Sequence, residues 1–214
     1  MRVVRPATWK RSVCPLAMVS LFAGVACSGG STTTPSTAPQ SATFHADLAD
    51  PLGDAVEPGV LNPPDLLHGS VDVNGGNVTF TVQFAPGTLN PQTTRLILYL
   101  DTDQDASTGN PIPGPLGIDY LLDMFASRNQ TAVTQATLTL TSCPTAAPCY
   151  IQVASAPLTV GTDMMTTTVP LALLGNTSGR MNFRVSTQAF TSPTTPTPNS
   201  DWMPDTTLPP AHVP

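Results

Sequence analysis

Every second side chain is apolar in Asn77-Val78-Thr79-Phe80-Thr81-Val82-Gln83-Phe84. In an extended chain Val78, Phe80, Val82 and Phe84 share one face and the polar residues share the other. A helix at about 3.6 residues per turn would scatter the same residues around its axis. The segment is therefore read as a half-buried strand. Asn74-Gly75-Gly76 just before it predicts a hairpin turn, with Ser70-Val71-Asp72-Val73 as the partner strand. Arg95-Leu96-Ile97-Leu98-Tyr99-Leu100 is apolar on both faces, as a central strand would be. Ile118 to Phe125 places Ile118, Tyr120, Leu122 and Met124 on one face. Further strands are predicted over 132–141, 150–154, 164–169 and 181–185. One helical turn is predicted at Pro170-Leu171-Ala172-Leu173-Leu174-Gly175, with Pro at its start and Gly past its end. Some eight short strands separated by turns predict an all-β fold, an antiparallel β-sandwich of jelly-roll or immunoglobulin-like type.

Composition narrows the function. Only 10% of the 214 residues are charged, and the net charge is −6. An acidic chain lacks the basic surface that nucleic acid requires. Glu occurs once (Glu57) and Lys once (Lys10), which excludes a long helical bundle or coiled coil.

The first 26 residues read as a secretory signal. Arg2, Arg5, Lys10 and Arg11 form a basic start, and the apolar stretch from Ser12 to Ala26 is short for a membrane span. It ends in Ala23-Gly24-Val25-Ala26-Cys27, the arrangement of small residues before Cys seen in bacterial lipoprotein signals. Cys27 is the expected lipidation site, and the anchor is the expected contact with a membrane. The same residues also suit ordinary signal cleavage and a soluble exported protein. Removing residues 1–26 leaves four Arg against 14 acids, a net charge near −10. Residues 28–42 are a Ser/Thr/Pro/Gly tether. Residues 43–190 are read as the sandwich domain, and 191–214 as a Pro/Thr-rich segment that packs on it in part through 201–205. Export implies an oxidising compartment, so Cys143 and Cys149 are read as a disulfide closing a short Pro-bounded loop.

One constellation carries chemistry. Asp101-Thr102-Asp103-Gln104-Asp105-Ala106-Ser107-Thr108-Gly109 follows the central strand directly. Carboxylates at alternate positions in one tight loop repel each other. A hard cation with several oxygen ligands relieves that repulsion, and Ca²⁺ best tolerates irregular geometry. The expected ligands are Asp101, Asp103, Asp105 and Ser107, with Asp119 added from the next strand. Asp123 lies on the same face as Asp119, further from the loop. The loop is not an EF-hand. It follows a strand, and Ala106 and Ile112 stand where Gly and the bidentate Glu would be. The competing reading is a solvated turn in which Asp side chains cap backbone amides. A second acidic pattern opens the domain at Asp50-Pro51-Leu52-Gly53-Asp54 and closes it at Asp201-Trp202-Met203-Pro204-Asp205. These motifs are either independent turns or packed on each other with Trp202 over the seam.

These patterns occur in one order with Pro64-Asp65-Leu66, Gly117-Ile118-Asp119-Tyr120, Val169-Pro170-Leu171 and Leu174-Gly175. Over residues 50–205 the succession resembles exported bacterial sandwich domains related to the family-9 carbohydrate-binding modules and the DOMON superfamily. The resemblance implies a jelly-roll-like sandwich with bound Ca²⁺. Members of that broad group include sugar-binding and haem- or cytochrome-associated modules. Two departures matter. After signal removal only Trp202, Tyr99, Tyr120 and Tyr150 could stack on a sugar ring, and Tyr99 falls in the central strand. Haem would want an axial His or Met, and the Met residues in apolar strands suit core packing. Gly-x-Ser-x-Gly, His-Glu-x-x-His and a Gly-rich phosphate loop do not occur. The expected function is thus a non-enzymatic, calcium-stabilised, lipid-anchored binding module of the cell envelope, with a glycan as the candidate ligand. The alternatives are an envelope interaction protein without a small-molecule ligand, partnered by another envelope protein, and a haem or redox module.

Overall fold

The strands pair antiparallel throughout. The computed structural model describes residues 43–111, 116–125, 135–141, 150–175, 178–192 and 195–214. Among them are β1 (Phe44–Ala49), β2 (Leu66–Asn74), β3 (Asn77–Phe84), β4 (Thr94–Asp101), β5 (Tyr120–Phe125), β6 (Gln135–Leu140), β7 (Ile151–Val160), β8 (Met164–Pro170), β9 (Met181–Ser192), β10 (Thr195–Met203) and β11 (Ala211–Val213). Residues 1–42, which hold the expected signal, Cys27 and the expected tether, lie outside the described residues, as do Ile112, Cys143 and Cys149.

The alternating strand behaves as its pattern requires. Val78, Phe80, Val82 and Phe84 are all buried. Gly75 and Gly76 carry φ of +58° and +80°, the positive values that a two-residue hairpin turn of this hand needs at both positions. The turn joins β2 to β3 with Asn74 paired to Asn77. Leu171–Leu174 forms the expected single turn, of 3-10 type. Pro170 precedes it and Gly175 ends it at φ +61°.

The strand order is β1-β2-β3-β8-β7-β6-β5-β4-β9-β10, with β11 on β9. β7 belongs to both layers. It pairs with β6 from Ile151 to Pro157 and with β8 from Leu158 to Val160. The two layers are thus one sheet folded over at β7, nearly a barrel. Their inner faces share one core that includes Phe80, Phe84, Leu96, Leu98, Leu122, Phe183 and Val185. β4 sits between β5 and β9 and is buried on both faces. Its outer face carries a second, smaller cluster of Ile97, Tyr99, Leu116 and Ile118, with Leu121 and Trp202 packed against it. Ile118 was expected to share a face with Leu122 and Met124. It lies instead in this outer cluster, because residues 116–119 precede β5 and pair by a bridge to Asn110.

Three strands lie beyond the sequence reading. β1 alternates Phe44, Ala46 and Leu48 inward against His45 and Asp47 outward. β9 (Met181–Ser192) runs past residue 190, and β10 (Thr195–Met203) forms in the segment that composition described only as Pro/Thr-rich. Pro196 and Pro198 are tolerated because β10 is the end strand of the order, where a missing N–H need not break a ladder. Its pairing with β9 shifts register three times. β11 returns to β9 from Ala211 to Val213.

Candidate metal centre

The acidic loop leaves β4 at Asp101 and is folded back by two glycines. Gly109 and Gly117 have φ of +66° and +64°. Their backbones meet so closely that a Cβ on Gly117 would lie 2.6 Å from the Asp105 carbonyl oxygen. A Cβ on Gly109 would lie 2.5 Å from the Gly117 carbonyl oxygen. Asn110 and Ile118 exchange two backbone hydrogen bonds of 2.8 Å at the base of the loop. Asp119 is then fixed by its own backbone. Its N–H donates to Leu100 O and its carbonyl accepts from Thr141 N–H, at 2.8 and 2.7 Å. The sequence from Asp101 to Asp119 is thus closed into one loop.

This closure gathers Asp101, Asp103 and Asp119. Each offers a carboxylate oxygen, and the three oxygens lie within 4.8 Å of one another. Asp101 is fully buried and Asp119 nearly so, while Asp103 is exposed. Asp101 Oδ2 accepts a hydrogen bond of 2.9 Å from Asn182 Nδ2 on β9. Asp101 Oδ1 is buried without a hydrogen-bond partner. Burial, with the neighbouring carboxyl groups of Asp103 and Asp119, pushes the Asp101 pKa up to about 6, although the Asn182 hydrogen bond acts the other way. Asp119 Oδ2 accepts from Thr102 N–H and the Thr102 hydroxyl, both at 2.9 Å. Asp103 accepts from Asp105 N–H at 2.9 Å and from the Thr108 hydroxyl.

Asp105 is not in that group, and it engages Ser107. Asp105 Oδ1 takes the Ser107 N–H at 3.0 Å and the Ser107 hydroxyl at 2.5 Å. These two hydrogen bonds hold the Asp105 carboxyl below the usual carboxylate range. Asp103 and Asp105 thus each cap the backbone two residues on, as the competing reading of the loop supposed. Asp123 is elsewhere too. It forms an ion pair with Arg95 across β4 and β5.

Beside Asp103 and Asp119 is a shallow, open depression of about 250 Å³, lined also by Thr102, Tyr120, Leu140, Leu174 and Gly175. The helical turn supplies its far wall. Tyr99 is buried and stacks on Trp202, with ring centroids 5.4 Å apart. Tyr99 is thus not presented to solvent, while Trp202 is half-buried. Tyr150 is exposed.

A second acidic group was raised by sequence as an open question, and the fold brings it together. Carboxylate oxygens of Asp50, Asp54 and Asp201 lie within 4.8 Å of one another. Burial, then the charges of Asp201, Asp54, Asp205 and Asp65, push the Asp50 pKa up to about 8. Burial also raises Asp201 to about 6, against the backbone N–H groups of Leu66 and Trp202 that it accepts. Trp202 does not cover this seam with its ring, which stands on Tyr99 instead.

No protein-family model matches this sequence, and none of the curated proteins matches it. Among the described residues no helix is long and apolar enough to cross a membrane.

Proposed function

We propose that this protein is an exported, non-enzymatic β-sandwich binding module, stabilised by Ca²⁺ and tethered outside the cell through lipid on Cys27. The observation that carries the reading is the buried Oδ1 of Asp101, which has no hydrogen-bond partner, on a side chain that brings one carboxylate oxygen within 4.8 Å of those of Asp103 and Asp119. An unpaired carboxylate in the protein interior is costly unless a cation or a proton offsets it. Asp101, Asp103 and Asp119 supply hard oxygen donors of the kind Ca²⁺ takes, from a loop whose irregular geometry suits that ion better than octahedral Mg²⁺. Asp105 belongs to the proposal as the cap that shapes the loop by holding Ser107.

The depression edged by Tyr120 adjoins Asp103 and Asp119. A sugar there would meet both an aromatic ring and a cation able to accept hydroxyl oxygens, which makes a glycan the favoured ligand. The burial of Tyr99, stacked on one face of Trp202, removes one of the four available rings from a sugar platform and supports the second reading, an envelope interaction protein.

Calorimetric titration of the full-length protein with CaCl₂ tests the centre. Asp103→Asn is expected to remove one bound ion while the far-ultraviolet spectrum is unchanged. Equal stoichiometry and affinity in wild type and variant would overturn the reading. A glycan array in calcium and in chelator separates the ligand classes, because only a glycan module gains spots with calcium. Cys27→Ser is expected to move the protein from the membrane fraction to the soluble fraction.

A further inference from the structure

We infer that Asp50, Asp54 and Asp201, backed by Asp65, form a second divalent-cation site that clips together the two ends of the folded sheet. This site shares no residue with the centre at Asp101, Asp103 and Asp119, and it goes beyond the function proposed above.

The position of these residues in the strand order is the starting point. β1 and β10 are the terminal strands of the order, and among the described residues no ladder joins them. Asp50 is the first residue after β1, Asp54 lies in the turn that follows, Asp65 stands directly before β2, and Asp201 lies in β10. The seam is held by isolated bonds in place of a ladder. Asp201 Oδ2 accepts Leu66 N–H at 2.6 Å, Val56 N–H donates to Ser200 O at 2.9 Å, and the Ser200 hydroxyl donates to Glu57. Acidic side chains therefore occupy a place where strand pairing would otherwise close the barrel.

The cluster alone would not indicate an ion, since exposed acids often gather at turns. Asp65 supplies the independent observation. It is 5% exposed, and its Oδ1 is buried without a hydrogen-bond partner. Its Oδ2 accepts Gly53 N–H at 2.9 Å, which directs the carboxyl group at the 50–54 turn. Its charge also raises the pKa of Asp50, Asp54 and Asp201, as a carboxyl near all three would. Asp50 Oδ2 is a second buried oxygen with no partner. Buried polar atoms are rarely left unsatisfied, and two carboxylate oxygens in one cluster need a cation, a proton or ordered water. The donors are all hard carboxylate oxygens drawn from a turn and a strand. That set selects Ca²⁺ over softer transition metals and over an ion that demands strict octahedral geometry. Bound there, the ion would hold the connection 50–65 against β10 and close the seam.

The experiment is a calorimetric titration of the full-length protein with CaCl₂ alone, repeated on Asp50→Asn, Asp54→Asn and Asp103→Asn. Asp50→Asn and Asp54→Asn are each expected to lose one ion, or to bind it at least tenfold more weakly, while retaining the ion that Asp103→Asn removes. Thermal melts add a sign change. In chelator at pH 8.5, where the carboxyl is ionised, Asp50→Asn is expected to melt at or above the wild type, because a charge has left a repulsive cluster. In calcium it is expected to melt several degrees below the wild type. Asp54 is exposed, so Asp54→Asn carries the test if Asp50→Asn does not fold. Wild-type stoichiometry and affinity in Asp54→Asn, with no sign change in any folded Asp50→Asn, would overturn the inference. The centre at Asp101 would stand or fall separately on Asp103→Asn.

Discussion

The carboxylate of Asp201 in β10 accepts the backbone N–H of Leu66 in β2, at 2.6 Å, across 135 residues of sequence. Its other oxygen accepts the N–H of Trp202 at 2.7 Å. One buried side chain thus satisfies two backbone donors at the place where the sheet fails to close. Asp201→Asn keeps one acceptor oxygen, whereas Asp201→Ala keeps none. In chelator, urea unfolding is expected to show the Ala variant less stable than the Asn variant by about 1–3 kcal/mol, the cost of an orphaned buried donor. Equal stabilities would mean that water replaces the carboxylate.

The metal-free protein is expected to lose stability as pH rises. Asp50 has its pKa raised to about 8, and Asp201 and Asp101 to about 6, each by burial first and by neighbouring carboxyl groups next. Around Asp50 those neighbours are Asp201, Asp54, Asp205 and Asp65. A carboxyl whose folded pKa lies above its unfolded value binds its proton more tightly when folded. Its stabilising effect is complete below about pH 4 and is lost as pH climbs through the folded value. Melts in chelator between pH 5 and pH 8.5 should therefore fall with pH, and Asp50→Asn should flatten the upper part of the curve. A flat wild-type profile would count against the repulsive cluster.

His45 is expected to titrate above the ordinary histidine value of 6.5. Its Nδ1 meets Asp72 and its Nε2 meets Asp47, both at 2.6 Å, and these hydrogen bonds raise its pKa, Asp72 most. The contribution to stability is present below the unfolded pKa and fades as pH passes the folded one, in the same direction as the buried carboxyls. A proton NMR titration of the ring checks this, and Asp72→Asn should lower the midpoint. No change in that variant would show that the surface pair is screened by water.

Gly117→Ala is expected to disable the acidic loop. Its φ of +64° disfavours any side chain by about 1–2 kcal/mol, and its Cβ would strike the backbone at Asp105 and Ala106. Calcium affinity at Asp101, Asp103 and Asp119 should fall at least about tenfold, equivalent to about 1.4 kcal/mol. Gly161→Ala is the control. Its Cβ would find its nearest neighbour at 3.7 Å, and its φ is not positive. Its effect should stay within about 0.5 kcal/mol. Equal effects of the two substitutions would refute the proposed role of the Gly109–Gly117 contact.

The sequence by itself determined the strands that carry their own pattern. Val78 to Phe84 alternate, Gly75-Gly76 forces one turn type, and Pro170 with Gly175 brackets one helical turn; all of this is local chemistry with a fixed period. It did not determine β1 or β10. Phe44, Ala46 and Leu48 form a short stripe that is buried only because β2 lies beside it, and β10 carries prolines that an end strand tolerates and an inner one would not. The acidic loop was legible as a candidate cation site, and so was the addition of Asp119. Which acids converge was not legible. Asp101, Asp103 and Asp119 point together while Asp105 turns to cap Ser107, because two glycines fold the loop back on itself. Asp50 and Asp201 meet only because β7 crosses between the layers and brings the first and last strands to one seam. Periodicity along a chain is a property of neighbours in sequence. The meeting of distant carboxylates depends on strand order and register, which the packing of the whole core decides.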